Sequence, residues 1–177
     1  MGNFIHRVTD ALLRSEYLPV GARMPLMRRL GYDIHPSACL WAGANLRSKS
    51  LTIGPDVFIN VGFFFDGFQK LEIAGNVRIG QFVRVITATH EIGPPGQRCT
   101  IEAIGGPVRI GKGSWIGCNV TLLPNVTVAE GCVIAAGAVV TRSTLPNGLY
   151  AGVPARLVRM LDGAVPPAMP APLAPAC

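Results

Sequence analysis

The dominant pattern in this chain is an aliphatic residue at every sixth position. Ile110, Ile116, Leu122, Val128, Ile134 and Val140 keep that step without a break. Four residues after the first five of them stand Ser114, Val120, Val126, Cys132 and Ala138, all compact. A period of six is neither the 3.6 of a helix nor simply the 2 of an isolated strand. Anchor and compact residue lie an even number apart, so in extended backbone both point to one face. The residues between them face outward or turn a corner. Three such sides make one triangular coil of about 18 residues, and coils stack at roughly 4.8 Å, the strand spacing. One coil cannot bury its apolar face, whereas a stack makes a continuous core. The pattern predicts an all-β solenoid, a parallel β-helix of hexapeptide repeats.

The same step organises the earlier chain. Ile34, Leu40 and Leu46 carry it, with Ala38 and Ala44 in the compact register. After one extra residue it resumes at Ile53, Ile59 and Phe65, with Val57 and Phe63; after two more, at Ile73, Ile79 and Val85, with Val77, Val83 and Thr89. The added residues are expected at corners. Phe63 and Phe65 are expected to point inward and Phe64 outward. Residues 34–145 then give about five coils, a prism roughly 25 Å tall. The step lapses between Thr89 and Ile110, where Gly93-Pro94-Pro95-Gly96 and Gly105-Gly106-Pro107 predict a loop, 90–107, extruded from the solenoid. Long loops in compact domains are usually functional.

The flanks read differently. Residues 1–33 form an expected N-terminal helical arm, with an amphipathic helix from Phe4 to Leu18, ended by Pro19 and Gly21 and packed over the open end of the prism. Arg23, Arg28 and Arg29 lie among Met24, Leu26, Met27 and Leu30, a mixture suited also to a membrane surface, although short for one. Residues 146–161 leave the repeat through an Asn147-Gly148 turn, with a short helix expected from Arg156 to Leu161. Residues 162–177 are an Ala/Pro-rich tail, expected to be disordered or extended.

With 177 residues, 49% apolar and 15% charged, the chain has material for one dense domain. The net charge of +6 fits an acidic or phosphorylated partner. No basic stripe with interleaved aromatics appears, which argues against nucleic acid. Five cysteines without a CxxC spacing suggest reduced thiols and a cytoplasmic protein. No signal peptide or apolar run long enough for a bilayer is read from the sequence.

Of the three histidines, His6 lies in the arm and His35 at the first corner. His90 stands where a strand ends and the long loop leaves. A histidine held there, partly exposed, suits a general base, and a surface loop histidine would look the same.

Residues 34–160 resemble the hexapeptide-repeat acyltransferases, nearest the maltose/galactoside O-acetyltransferases and related polysaccharide acetyltransferases. The resemblance is carried by Ile59-Asn60 with Phe63-Phe64-Phe65-Asp66, Thr87-Ala88-Thr89-His90, Gly113-Ser114-Trp115-Ile116-Gly117, residues 134–142, and Ala151-Gly152-Val153-Pro154-Ala155-Arg156, in the family's order. It implies a left-handed parallel β-helix, a homotrimer with active sites between subunits, and acetyl-CoA as donor. It implies His90 as the base that deprotonates an acceptor hydroxyl of a sugar or glycan. Asn60 and Asp66 look like the acceptor ligands, although the spacing after Asp66 is longer by one, and a corner carboxylate would read alike. Phe64 is a candidate for the acceptor pocket or a subunit contact. On the donor side the resemblance points to Trp115, Gly117, Cys118, Ala136, Thr141 and Arg142. Arg156 and Arg159 are candidates for the nucleotide 3′-phosphate.

Three alternatives differ in class. An N-acetyltransferase on an amino sugar or antibiotic would use the same base. A catalytically silent β-helix binding module would not need His90, Asn60, Trp115 and Arg142 together. A zinc enzyme on this fold would need three histidines around one metal, and His6 and His35 lie off the central coils, so no metal is expected.

Overall fold

The computed structural model describes Ala11 and residues 14–161. A helix, α1 (Val20–Arg29), precedes a coil that climbs through three strands per turn. The first turn is β1 (Asp33–Ile34), β2 (Cys39–Leu40) and β3 (Asn45–Leu46); the second is β4 (Leu51–Ile53), β5 (Phe58–Ile59) and β6 (Phe64–Phe65). The third is β7 (Leu71–Ile73), β8 (Arg78–Ile79) and β9 (Arg84–Val85). A hairpin follows, β10 (Ala88–Ile92) and β11 (Cys99–Gly105). The coil resumes with β12 (Val108–Ile110), β13 (Trp115–Ile116) and β14 (Thr121–Leu122), then β15 (Thr127–Val128), β16 (Val133–Ile134) and β17 (Val139–Val140). It closes with β18 (Gly148–Ala151) and β19 (Arg156–Met160).

Strands of successive turns pair in parallel, which makes three flat faces: β1-β4-β7-β12-β15, β2-β5-β8-β13-β16-β18-β19, and β3-β6-β9-β14-β17. We call these the first, second and third faces. The second corner joins the second face to the third, and the third corner leads up to the next turn. Every anchor of the six-residue step is buried, from Ile34 to Val140, and so are Ser114, Val120, Val126, Cys132 and Ala138. Ser114 is tolerated inside because its hydroxyl donates to the Ala129 carbonyl at 2.9 Å. Phe63 and Phe65 fill the core while Phe64 faces out, half-buried. The extra residues fall at the third corner, as the pattern predicts.

Four expectations need correction. The loop 90–107 is an ordered antiparallel hairpin, Ala88 opposite Gly105 and His90 opposite Ala103. The chain leaves the prism after Ile86, so Thr89 is exposed and Thr87 takes the buried place. Arg156–Met160 is a strand, antiparallel to β18, not a helix. Pairing there satisfies the open backbone edge of β18, which a helix would leave bare. Pro19 and Gly21 mark a helix start rather than an end: Pro19 caps α1 in extended geometry, a place where its missing N–H is no loss.

The expected helix from Phe4 lies mainly outside the described residues, and 15–18 form a turn. Instead α1 plugs the prism, with Met24 and Met27 in the core. Arg23 is buried too, donating to the carbonyls of Leu40 at 3.1 Å, Ser15 at 2.7 Å and Leu18 at 2.6 Å. Burial pulls its guanidinium below the ordinary value, against an opposing influence of Cys39. The apolar side of α1 is therefore spent on the prism and is not free for a membrane. No helix among the described residues is long and apolar enough to cross one. The tail 162–177 lies outside the described residues.

Candidate active site

His90 sits on the hairpin, which is anchored at the third corner by hydrogen bonds around the buried Thr87. Thr87 is fully buried, its N–H donating to Asp66 Oδ2 at 2.8 Å and its hydroxyl to Asp66 Oδ1. Ala88 N–H donates to the same Oδ2 at 3.0 Å, and Gln69 N–H to the Thr87 hydroxyl at 3.0 Å. The second leg is tied as firmly: Gly106 N–H donates to the Thr87 carbonyl at 3.1 Å. A side chain on Gly105 would put its Cβ 1.9 Å from that carbonyl oxygen, so only glycine closes the root. Asp66, one turn below, thus holds the hairpin through backbone and the Thr87 hydroxyl.

The imidazole itself is exposed, and its Nδ1 lies 3.1 Å from the Glu102 carbonyl. A carbonyl only accepts, so Nδ1 donates to it, and in the neutral ring Nε2 is left as the acceptor, facing solvent. That tautomer is the one a general base needs. A shallow depression of about 380 Å³ beside it is lined by Glu91, Pro94, Gln97, Thr100, Ile101, Glu102 and Ile104. The larger hollow, about 650 Å³, runs along the first face around Glu72 and Arg109 and touches none of the residues expected from sequence.

The remaining candidates divide between two corners. Asn60 and Gly117 sit in one stacked column at the second corner, with Cys118 and Ala136 in the next column. Thr141 and Arg142 lie at the third corner, above the root of the His90 hairpin, and both are exposed. Phe64 projects from the third face between the corners, beside Arg84. Trp115 projects from the second face above Arg78 and is 59% exposed. Arg156 and Arg159 stand exposed on β19 at the end of that face. Asn60 Oδ1 accepts from Val61 N–H at 2.8 Å, and the residue is half-buried.

The outward ladders also differ by face. The first shows Asp33, Thr52, Glu72, Arg109 and Thr127, polar throughout. The second shows Cys39, Phe58, Arg78, Trp115, Val133 and Leu149. The third shows Asn45, Phe64, Arg84, Thr121 and Val139. Apolar side chains are turned outward on two faces only.

Gly117 has a steric reason beyond making room for a ligand. Its Cβ would meet Ala136 N at 2.6 Å, so glycine is needed for the next coil to stack. Gly137, by contrast, has nothing within 4 Å of such an atom, so the corner beside Ala136 is open. Cys39, Cys99, Cys118 and Cys132 are free thiols, and Cys177 lies outside the described residues. No group of three or more His, Cys, Asp or Glu among the described residues could hold a metal ion. Sequence reading missed Thr87, the Glu102 carbonyl and Phe82, a corner residue with positive φ; the first two depend on the hairpin pairing, which no repeat pattern reports.

Comparison with known proteins agrees with this architecture. A model of the bacterial transferase hexapeptide, in six repeats, matches residues 107–142. The solenoid is accordingly the left-handed β-helix of such repeats. A Schizosaccharomyces pombe protein that bears an acetyltransferase name is 39% identical over 130 residues, 73% of this chain and 60% of that protein. The galactoside O-acetyltransferase of Escherichia coli K12 is 30% identical over 157 residues, 86% of this chain and 68% of that protein. A hexapeptide-repeat acetyltransferase from Vibrio cholerae superposes with a TM-score of 0.80 at 29% identity, over 90% of this chain and 89% of the other. The Vibrio cholerae protein has also been solved with acetyl coenzyme A, at a TM-score of 0.78 and 28% identity, over 88% and 84% of the two chains. The chain spans about three fifths of the length of the first curated relatives it matches.

Proposed function

Given that this chain belongs to the hexapeptide-repeat acetyltransferase family, we propose that it transfers an acetyl group from acetyl-CoA to a hydroxyl of a sugar or glycan. The observation that carries the reading is the His90 tautomer: Nδ1 engaged with the Glu102 carbonyl, Nε2 free, on a hairpin clamped at its root. Nε2 takes the proton from the acceptor hydroxyl as its oxygen forms a bond to the thioester carbonyl carbon. The carbon–sulfur bond then breaks, and the imidazolium returns the proton to the departing sulfur. The products are an acetyl ester and free CoA, and no cysteine nucleophile is required.

We place the site between two chains. Six residues of extended backbone, at most about 20 Å, separate the second corner from the third. In this reading the donor-side residues Trp115, Gly117, Cys118 and Ala136, together with Asn60, are contributed by one prism, and His90, Thr141 and Arg142 by its neighbour. The apolar ladders on the second and third faces supply the surface that such neighbours would cover. A homotrimer with three equivalent clefts is the arrangement we propose. The open corner at Ala136 and Gly137 accommodates a slender pantetheine arm, and Arg156 and Arg159 are placed for the nucleotide phosphates. Phe64 and Asn60 line the acceptor side. Asp66 stands at the third corner with both oxygens already accepting hydrogen bonds, so its contribution to the acceptor runs through the hairpin it holds.

The test is a screen for acetylated product by mass spectrometry, with free sugars, nucleotide sugars, lipid-linked glycans and hydroxylated or amino antibiotics as acceptors. Ester formation on a sugar hydroxyl supports the proposal. Amide formation alone, or no product with any acceptor, refutes it.

A further inference from the structure

Six non-glycine residues among those described have positive φ, and five are Asn or Asp: Asp56, Asn76, Asn119, Asn125 and Asn147. These short polar side chains tolerate the left-handed region. The sixth is Phe82, at φ 57, where the β-carbon of a bulky residue crowds its own backbone. Nothing in the core asks for it, because the residue is 51% exposed. Backbone strain on a residue that the core does not use points to function.

Its surroundings say which function. Phe82 belongs to a column at the second corner formed by Gly43, Gly62, Phe82, Asn119 and Gly137, linked by Gly62 N–H to Ala42 O, Phe82 N–H to Val61 O and Asn119 N–H to Gln81 O. The other four are glycine or asparagine. The ring lies down onto Gly62, where a Cβ would come within 2.4 Å of Cδ1 and 2.7 Å of Cε1. Glycine below leaves room for the ring to lie flat against the corner. It sits one turn above Asn60 and one below Cys118, between the proposed acceptor and donor positions.

We propose that Phe82 is a stacking platform for the acceptor, receiving the apolar C–H face of a pyranose ring while its hydroxyl turns toward His90 of the neighbouring subunit. The electron-rich face of an aromatic ring attracts the slightly positive C–H groups of a sugar. This rests on the acetyltransferase reading above and narrows its substrate to acceptors that present a six-membered sugar ring.

The experiment compares wild type with Phe82→Asn and Phe82→Tyr. Asparagine relieves the left-handed backbone, so the thermal midpoint should rise by about 2–5 °C. With the acceptor found in the screen, its KM should rise about two- to tenfold and the acetyl-CoA KM stay within about 1.5-fold. Tyrosine keeps the ring and should keep the acceptor KM. In parallel, saturation-transfer NMR with methyl glucoside, methyl galactoside and methyl N-acetylglucosaminide reads sugar binding without turnover, and the signal should be lost in Phe82→Asn. An unchanged acceptor KM, an equal rise for acetyl-CoA, or dissociation of the assembly would each overturn the platform. If wild type acetylates nothing, the transferase reading falls by itself; the NMR still decides Phe82, and no transfer to wild type overturns it.

Discussion

Substituting Gly117 with alanine tests how closely the coils are packed at the corner where the donor is expected. The new Cβ would lie 2.6 Å from Ala136 N, 2.9 Å from Ile134 O and 3.0 Å from Ala135 C, all backbone atoms that cannot rotate away. Ordinary contact begins near 3.4 Å, so the two coils must part locally by most of an ångström. That separation stretches the bond from Gly117 N–H to Ile134 O, now 2.8 Å, and its neighbour from Gly137 N–H to Cys118 O, also 2.8 Å. Overpacking of this kind costs about 1–3 kcal/mol, and a weakened backbone bond about 1 more. The expected loss is about 2–4 kcal/mol, or about 5–12 °C in thermal midpoint for a chain of this length. Two controls separate the causes. Gly96→Ala meets nothing within 4 Å and should change stability by under about 0.5 kcal/mol. Gly113→Ala also has open space but φ +72, so its cost is conformational, about 1–2 kcal/mol. Thermal unfolding of the three variants, with acetyl-CoA binding by calorimetry, checks the order. Gly117→Ala should weaken donor binding and Gly113→Ala should not. A Gly117→Ala midpoint equal to that of Gly96→Ala would refute the stacking argument.

Further expectations concern the plug, the charges and the phosphate end. Arg23→Met strips three carbonyls of a charged donor and should cost about 2–3 kcal/mol in chemical denaturation, with the segment before β1 cut first by protease; a loss under about 0.5 kcal/mol would contradict it. Hydrogen bonds from Lys70 and Arg109 hold the Glu72 carboxyl below its usual value, so its stabilising contribution is present above the ordinary glutamate range and fades as the pH falls through the lowered value. On this exposed face it is under about 1 kcal/mol, and Glu72→Gln should be less stable than wild type at pH 6 and equal to it in strong acid; a gap that widens in acid would sink the idea. Arg156→Ala should weaken acetyl-CoA binding in calorimetry by several fold and dephospho-CoA binding little, whereas equal losses would place that side chain away from the 3′-phosphate.

The repeat was legible because burial imposes it. Every side of the prism must return an aliphatic residue inward, so Ile110 to Val140 declare the coil, and even the misfits at the third corner declare themselves as added residues. Phe63 and Phe65 followed by parity alone. What the pattern does not govern was harder to read. The helix Val20–Arg29 contains Pro25 and ends in a basic turn, signals that usually argue against a buried face, and only the open end of the prism makes Arg23 an interior residue. Ala88–Ile92 and Cys99–Gly105 lack clean alternation, since both are largely exposed, so their pairing is invisible until the root at Thr87 is seen. The strand Arg156–Met160 owes its form to the free edge of β18. Phe82 is a residue of ordinary aspect in sequence, and only its backbone angle distinguishes it.

The most direct measurement on the central claim is acetyl transfer by His90→Ala, with the assembly state and donor affinity followed on the same sample. An exposed side chain whose ring bonds only one carbonyl can be removed without unfolding the prism. The variant should sediment like wild type and bind acetyl-CoA with unchanged affinity, while turnover falls by about a hundredfold to ten-thousandfold. Wild-type turnover in His90→Ala would contradict the assignment of the base, and with it the chemistry proposed for this prism.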